Sequence, residues 1–307
     1  MMPLRDTLAA YLALRRSVGF KLDMAGRVLP SFVDYLRRRH ARVITSDLAL
    51  AWAMRPRGKQ DLWVVRLGLV RGFARYVQTL DLRTQVPSTD LLRYRRRRAV
   101  PYLYSEIEIA QLVCAALRLQ PRIHASTYST LFGLIASTGM RRGEAIALDR
   151  DDIDWGQGLL VIRKSKFGKS RELPLHGTTI DALRTYAQLR DHFCARPKAP
   201  SFFVSLAGTR LLDHRVHMIF HRLVRRVGIK ARSARCRPRI HDLRHTFAVR
   251  TMLHWYRAGV DVESKLPLLS TYLGHFDPTT TYWYLSAAPE LLSLAARRAE
   301  RAWRASQ

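Results

Sequence analysis

The sequence runs to 307 residues, 48% of them hydrophobic, with 53 Lys and Arg against 24 Asp and Glu, a formal charge of +29. The length suits two domains and the apolar share supplies packed cores, which excludes a disordered chain. So large a cationic excess repels itself in the folded state, and nucleic acid is the usual polyanion that relieves it.

Residues 4 to about 80 are predicted to be helical throughout. Leu8, Tyr11 and Leu12, then Val28, Phe32, Tyr35 and Leu36, recur at helical spacing. Thr45, Ser46 and Asp47 offer a cap for a third helix, and Asp61 opens a fourth through Trp63, Leu67, Val70, Phe73 and Val77. Residues 1–82 hold no glutamate and two lysines, so the bundle has an arginine-rich surface suited to gripping DNA. A G+C-rich genome raises arginine as well, and a merely basic bundle is the competing reading. From Asp81 the apolar period fades, Pro87-Ser88-Thr89 breaks the chain, and YRRRRAVP follows. Residues 83–103 are expected to be a basic linker, with Arg95, Arg96, Arg97 and Arg98 lying along a phosphate backbone.

The remainder, 104–307, mixes types. Ser105 to Glu108 reads as a helix start with acids in the first turn. A buried helix is expected around Thr130–Ser137, and LLVIR and RELPL read as strands separated by a KFGK turn. The fold class is therefore mostly α, with an N-terminal helical bundle and an α+β domain carrying a small antiparallel sheet. The acid-rich run Asp149 to Asp154 reads as solvated surface. Cys114, Cys194 and Cys236 are scattered without a CxxC pair, which favours a reducing compartment over a disulfide framework. Arginines interrupt the N-terminal apolar runs, and no stretch reaches the roughly 18 apolar residues of a membrane helix. A cytoplasmic, nucleoid-associated protein without a membrane partner is expected.

Four stretches could carry chemistry. In STGMRRGEAIAL, Arg141 and Glu144 stand three apart on one helix face, where a carboxylate could hold a guanidinium toward an anion. In KSKFGKSRELPL, Lys166, Lys169 and Arg171 could reach into a groove from a hairpin tip, although such tips are usually just solvated. In IHDLRHTFAVRTML, His241 and Arg244 share a face, and His245 follows at the fourth position after His241. That HxxxH lacks the glutamate and third ligand of a catalytic zinc site, so no metal is expected. LGHFDPTTTYWYL holds His275 with Tyr282 and Tyr284 behind it.

Taken in order, STGMR, Lys166 eight residues before Pro174, HDLRH, LGH and Tyr284 nine residues after His275 resemble the tyrosine recombinase (integrase) family, in its two-domain Xer-like form. The resemblance spans nearly the whole chain. It implies a core-binding domain over 1–82, the linker, and a catalytic domain over 104–307 ending in a helix at 288–304. The chain starts directly with the core-binding part, so no arm-binding domain is expected. Tyr282 and Tyr284 point about 200° apart on a helix, so one of them faces the site, and the family spacing selects Tyr284 as nucleophile. The resemblance further implies that Arg141, Arg244 and His275 hold the scissile phosphate, Lys166 protonates the departing 5′-oxygen, and His241 assists in acid–base transfer near the tyrosine. Glu144 would orient Arg141. No cofactor is implied, because phosphodiester energy is kept in a 3′-phosphotyrosine. Partners would be double-stranded DNA, three further protomers in a tetramer on paired sites linked by exchange of the C-terminal helix, and companion recombinases. That amphipathic helix could also fold back onto its own domain. The tail TYWYLSAAPELLSLAARR looks more like recombinases of mobile elements, serving integration, excision or transposition, than like chromosome-dimer resolvases. Two rivals share the scaffold: a topoisomerase IB-like nicking enzyme, and a catalytically silent DNA-binding regulator.

Overall fold

In the computed structural model, residues 1–98 and 99–307 form two units. Described are residues 3–56, 60–92, 99–163, 170–195, 198–275, 277, 279–287 and 289–305. Among these are thirteen α-helices and one three-stranded antiparallel sheet.

The first unit holds α1 (Leu4–Ser17), α2 (Asp23–Arg38), α3 (Ser46–Met54) and α4 (Gln60–Gln78). Leu29, Phe32 and Leu36 recur at helical spacing on α2 and are fully buried with Val70 and Phe73 of α4. Aromatic contacts tie the helices together: Phe32 to Trp52 at 5.0 Å and Tyr11 to Phe73 at 5.6 Å between ring centroids. Thr45 caps α3, its hydroxyl accepting from the Leu48 N–H at 3.3 Å.

The segment expected as a linker is partly packed at each end. Gln85 accepts the Ser46 N–H and donates its own N–H to the Ile44 carbonyl, and Arg71 donates to the carbonyls of Pro87 and Ser88. In the second unit Tyr102 and Tyr104 are buried, the Tyr104 hydroxyl donating to the Arg239 carbonyl. Extended segments anchored by a few side chains show no period, so sequence reads them as loose. Arg95, Arg96, Arg97 and Arg98 lie outside the described residues.

The second unit opens with α5 (Glu106–Leu117) and α6 (Arg122–Thr138). A capping box starts α5: Ser105 Oγ accepts from the Glu108 N–H, and Glu108 Oε2 accepts from the Ser105 N–H. Helix α6 runs well beyond the Thr130–Ser137 core expected for it. The short α7 (Arg142–Ala147) leads to β1 (Ile153–Asp154), β2 (Leu159–Ile162) and β3 (Arg171–Pro174), paired β1–β2–β3. Then come α8 (Gly177–Phe193), α9 (Asp213–Val227), α10 (His241–Arg257), α11 (Val262–Leu273), α12 (Thr279–Ala287) and α13 (Pro289–Ala305). The acid-rich run is less solvated than its composition suggests. Asp152 is 6% exposed, caps the turn through the Asp149 N–H and pairs with Arg163, while Asp149 pairs with Arg210.

Two apolar clusters organise this unit. One gathers α5, α6, α8, α9 and the sheet around Phe132, Tyr186, Phe202, Phe203 and Phe220. The other gathers α10 to α13 around Met252, Leu266, Leu269, Leu273, Tyr284 and Leu291. Pro267 lies inside α11 without ending it, held by buried Leu266 and Leu269 beside it. Helix α13 packs on α10 of its own chain, with Leu291 fully buried and Arg257 donating to Glu290 at 2.5 Å.

Phe220 is fully buried and packs edge-on against Phe132 at 5.3 Å. Phe220→Ala is predicted to cost about 3–5 kcal/mol, as a cavity at the centre of the larger core. Urea denaturation checks this; a loss under about 1 kcal/mol would mean that the core can collapse around the gap.

Candidate active site

Four chain segments meet where the two clusters adjoin: the α6–α7 turn, the start of α10, the end of α11 and the middle of α12. Two glycines allow the approach. Gly139 closes α6 at φ 63°, and a side chain there would run into the Phe247 ring. Gly274 closes α11 at φ 69°, with space for a Cβ only 2.6 Å from Arg171 Nη1. Both need the left-handed conformation that glycine adopts without strain, and both need the missing methyl.

The last carbonyls of α11 face three arginines in turn. Arg171 Nε donates to the Tyr272 carbonyl at 2.8 Å, Arg244 Nη2 to Leu273 at 2.8 Å, and Arg141 Nη2 to Gly274 at 2.7 Å. A helix end leaves such carbonyls without intrahelical partners and carries partial negative charge, so cations belong there. Glu144 locks two of them from the other side. Its Oε1 accepts from Arg141 at 2.7 Å and from Arg171 at 3.1 Å, and its Oε2 from Arg171 at 2.8 Å. Burial alone would raise the Glu144 carboxyl; Arg171, then Arg141, outweigh it and hold the group below the usual range. Arg244, 1% exposed, also donates to the Gly139 carbonyl at 2.9 Å. Burial and the neighbouring Arg141 lower it to about 10, so it stays charged at neutral pH. Three guanidiniums against one carboxylate leave two positive charges uncompensated in a confined place. The next carboxylate, Asp242, is fully buried and taken by Arg239 through bonds of 2.7 and 3.0 Å.

Histidines and a tyrosine complete the wall. His241 keeps an exposed edge, yet burial of its ring, then Arg244, Arg239 and Arg141, push it down to about 4. His275 has Nδ1 2.7 Å from Thr281 Oγ1, and burial followed by Arg244 and Arg141 pushes it down to about 3. Both are neutral at pH 7. Asp277 accepts the Thr279 N–H at 2.9 Å to start α12, which carries both tyrosines. Tyr284 is 1% exposed, its ring stacked beside His275 and its hydroxyl 3.1 Å from His245 Nδ1. Tyr282 is 48% exposed.

The structure thus brings Arg141, Glu144, Arg244, His241, His275 and Tyr284 together. Lys166 and Lys169 lie outside the described residues. Arg171 differs from the sequence expectation: instead of reaching outward from a hairpin tip, its side chain is 9% exposed and ion-paired with Glu144. Its cross-strand partner is the buried Ile162, so the pleat turns Arg171 inward. His245 and Asp242 stand inside the HDLRH motif, which gave neither of them a chemical task. Their signal was the three-residue spacing that places Asp242 and His245 on one face of α10, the face turned to Tyr284.

Residues 105–290 match the phage integrase family. The chain is 44% identical over 310 residues to integrase/recombinase y4rB of Sinorhizobium fredii, covering 99% of each. It is 29% identical to the tyrosine recombinase XerC of Azotobacter vinelandii over 71% of this chain and 67% of that protein. Among solved structures, the Tn1549 transposon integrase in complex with transposon right end DNA shares the fold, with a TM-score of 0.65 at 16% identity over 96% of this chain and 98% of that one. The chain therefore belongs to the phage integrase family, the tyrosine-type site-specific recombinases.

Glu144→Gln would leave Arg141 and Arg171 facing each other without their shared countercharge. A loss of about 3 kcal/mol is expected at neutral pH by chemical denaturation. Because the folded-state value lies below the ordinary 4.5, the difference from wild type should persist above that pH and close as acid protonates Glu144. A loss that stayed constant into acid would show that the charge on Glu144 is not what holds the arginines.

Proposed function

We propose that this recombinase cuts DNA by attack of the Tyr284 hydroxyl oxygen on a backbone phosphorus, forming a 3′-phosphotyrosine and freeing a 5′-hydroxyl, and reseals strands by the reverse step. The observation that carries the reading is the pair of uncompensated positive charges beside the buried tyrosine. A phosphodiester in attack gains negative charge on its non-bridging oxygens, and Arg141 and Arg244 stand ready to hold that charge without rearranging. His275, neutral, offers a further hydrogen bond to the same phosphate. Lys166 serves the departing 5′-oxygen, which must take up a proton as its bond to phosphorus breaks, and His241 assists acid–base transfer near the tyrosine. Glu144 and Arg171 act by fixing Arg141, so Arg171 joins the positioning residues and leaves Lys169 and Arg95 to Arg98 as the proposed phosphate contacts. A tyrosine of ordinary pKa near 10 is ionised in only about one molecule in a thousand at pH 7, a barrier of about 4 kcal/mol that the site must lower.

The bond type is conserved on exchange, so neither ATP nor a metal is needed in this scheme. Residues 1–82 are proposed as the core-binding domain and 104–307 as the catalytic domain, each contacting duplex DNA. Four protomers would act on paired sites, and α13, seated on α10 of its own chain here, is the segment that would pass to a neighbour. A role with a mobile element, in integration, excision or transposition, is supported by the likeness to the transposon integrase. Companion recombinases and a cytoplasmic, nucleoid-associated location belong to the same reading. No described helix is long and apolar enough to cross a membrane.

Wild type, Tyr284→Phe and Tyr282→Phe would be expressed in the source cells and purified under denaturing conditions, with any attached DNA sequenced. DNA should come with wild type and with Tyr282→Phe, and not with Tyr284→Phe. Covalent DNA on Tyr284→Phe would sink the assignment of the nucleophile. On the site so recovered, Arg141→Ala or Arg244→Ala should slow cleavage by about 100-fold or more while DNA affinity falls by less than tenfold. Equal losses in affinity and rate would speak against the clamp.

A further inference from the structure

We infer that His245 is the base that takes the phenolic proton of Tyr284, and that Asp242 positions it for this task. The inference rests on the reading of Tyr284 as nucleophile and goes beyond it, because none of the family motifs quoted above gives His245 a role.

The geometry is specific. His245 Nδ1 lies 3.1 Å from the Tyr284 hydroxyl, and the imidazole is 8% exposed. Its other nitrogen, Nε2, faces the Asp242 carboxylate at 4.0 Å. A carboxylate on that side favours the tautomer with hydrogen on Nε2, which leaves the Nδ1 lone pair for the tyrosine O–H. Asp242 cannot turn away. It is fully buried and held by Arg239 through both side-chain bonds and the Arg239 N–H at 3.1 Å. The other candidates are engaged differently. His275 Nδ1 is engaged by Thr281, and the His241 ring meets the His245 ring edge-on, centroids 4.7 Å apart, with its own open edge among Arg244, Arg239 and Arg141. Trp283 flanks His245 from α12, its ring centre 5.6 Å away.

The step balances. As the Tyr284 oxygen bonds to phosphorus, its proton moves to His245 Nδ1 and the bond from phosphorus to the 5′-oxygen breaks, that oxygen taking a proton from the acid at the other end of the phosphate. The imidazolium formed faces Asp242. In resealing, the 5′-hydroxyl attacks and gives its proton back to the group that supplied it, the tyrosine oxygen leaves, and His245 returns the phenolic proton.

The test uses duplexes carrying the site recovered from covalent complexes, with either oxygen or sulfur at the 5′-bridging position. Sulfur leaves without protonation, so it rescues the loss of a leaving-group acid and leaves the need for a base untouched. His245→Gln keeps a hydrogen-bonding group beside the tyrosine but cannot take its proton. It should cleave about 100-fold or more slowly near pH 7, on both duplexes, with DNA binding retained. The defect should shrink as pH rises, or when fluorotyrosine, a stronger acid, replaces Tyr284. Asp242→Asn should slow cleavage about tenfold with the same pH trend. Rescue of His245→Gln by the 5′-sulfur, or cleavage within threefold of wild type, would overturn the proposal. Should Tyr284→Phe still form a covalent complex, the nucleophile assignment fails and takes the proposal with it. Without DNA, imidazole ¹⁵N spectra should show His245 protonated on Nε2 and perturbed by Tyr284→Phe. A proton resident on Nδ1 would overturn the proposal even if the variants failed to fold.

Discussion

The arginine cluster of the candidate site hangs from the carboxyl end of α11. Three successive carbonyls, those of Tyr272, Leu273 and Gly274, accept one arginine each, from β3, from α10 and from the turn before α7. These arginines come from sequence positions as far apart as 141 and 244, yet their guanidiniums are gathered at one point because a helix end supplies unpaired acceptors and a negative field together. Gly274 is the price of the arrangement, since any side chain there would displace Arg171. The sheet, otherwise a minor element of a helical unit, serves to bring Arg171 to this point.

The same contacts leave the site in electrostatic debt. Glu144 neutralises one guanidinium's worth of charge among three, and Asp242 is committed to Arg239. Burial first, and then the gathered cations, suppress the charge of the adjacent histidines, held at about 4 for His241 and about 3 for His275. In the proposed reading a phosphate entering the site would meet fixed guanidiniums and neutral imidazoles, which can donate a hydrogen bond and accept a proton, so charge stabilisation and proton transfer would fall to different side chains. The tyrosine stands at the edge of this field, buried between His245 and His275.

Much of this was legible in the sequence because the chemistry is written in spacing. Arg141 with Glu144 and His241 with Arg244 stand three apart at the starts of α7 and α10, Tyr282 and Tyr284 take opposite phases of α12, and the family spacing from His275 selected between those two, so one-dimensional intervals carry three-dimensional meaning. The 48% exposure of Tyr282 beside the 1% of Tyr284 is that same phase seen in the fold. Arg171 was not legible, because a lysine-rich tip and a strand start look alike until the pairing with Ile162 fixes which way the side chain turns. The acidic run from Asp149 looked solvated for a similar reason: its partners, Arg163 and Arg210, are supplied by distant chain. His245 was seen only as half of a metal-like pair, since its partner Tyr284 lies 39 residues away across the fold. The tail helix shows the limit of amphipathicity, which reveals that a face will be covered and not by which chain.

The most direct measurement is to locate the bond itself. Denatured protein–DNA complexes would be digested with nuclease and protease, and the peptide bearing the residual nucleotide sequenced by tandem mass spectrometry. A phosphonucleotide on Tyr284, joined through a 3′-phosphate, is the predicted result. The same adduct on Tyr282, on another residue, or joined through a 5′-phosphate would contradict the account, because the arginines at the end of α11 would then be arranged around the wrong oxygen.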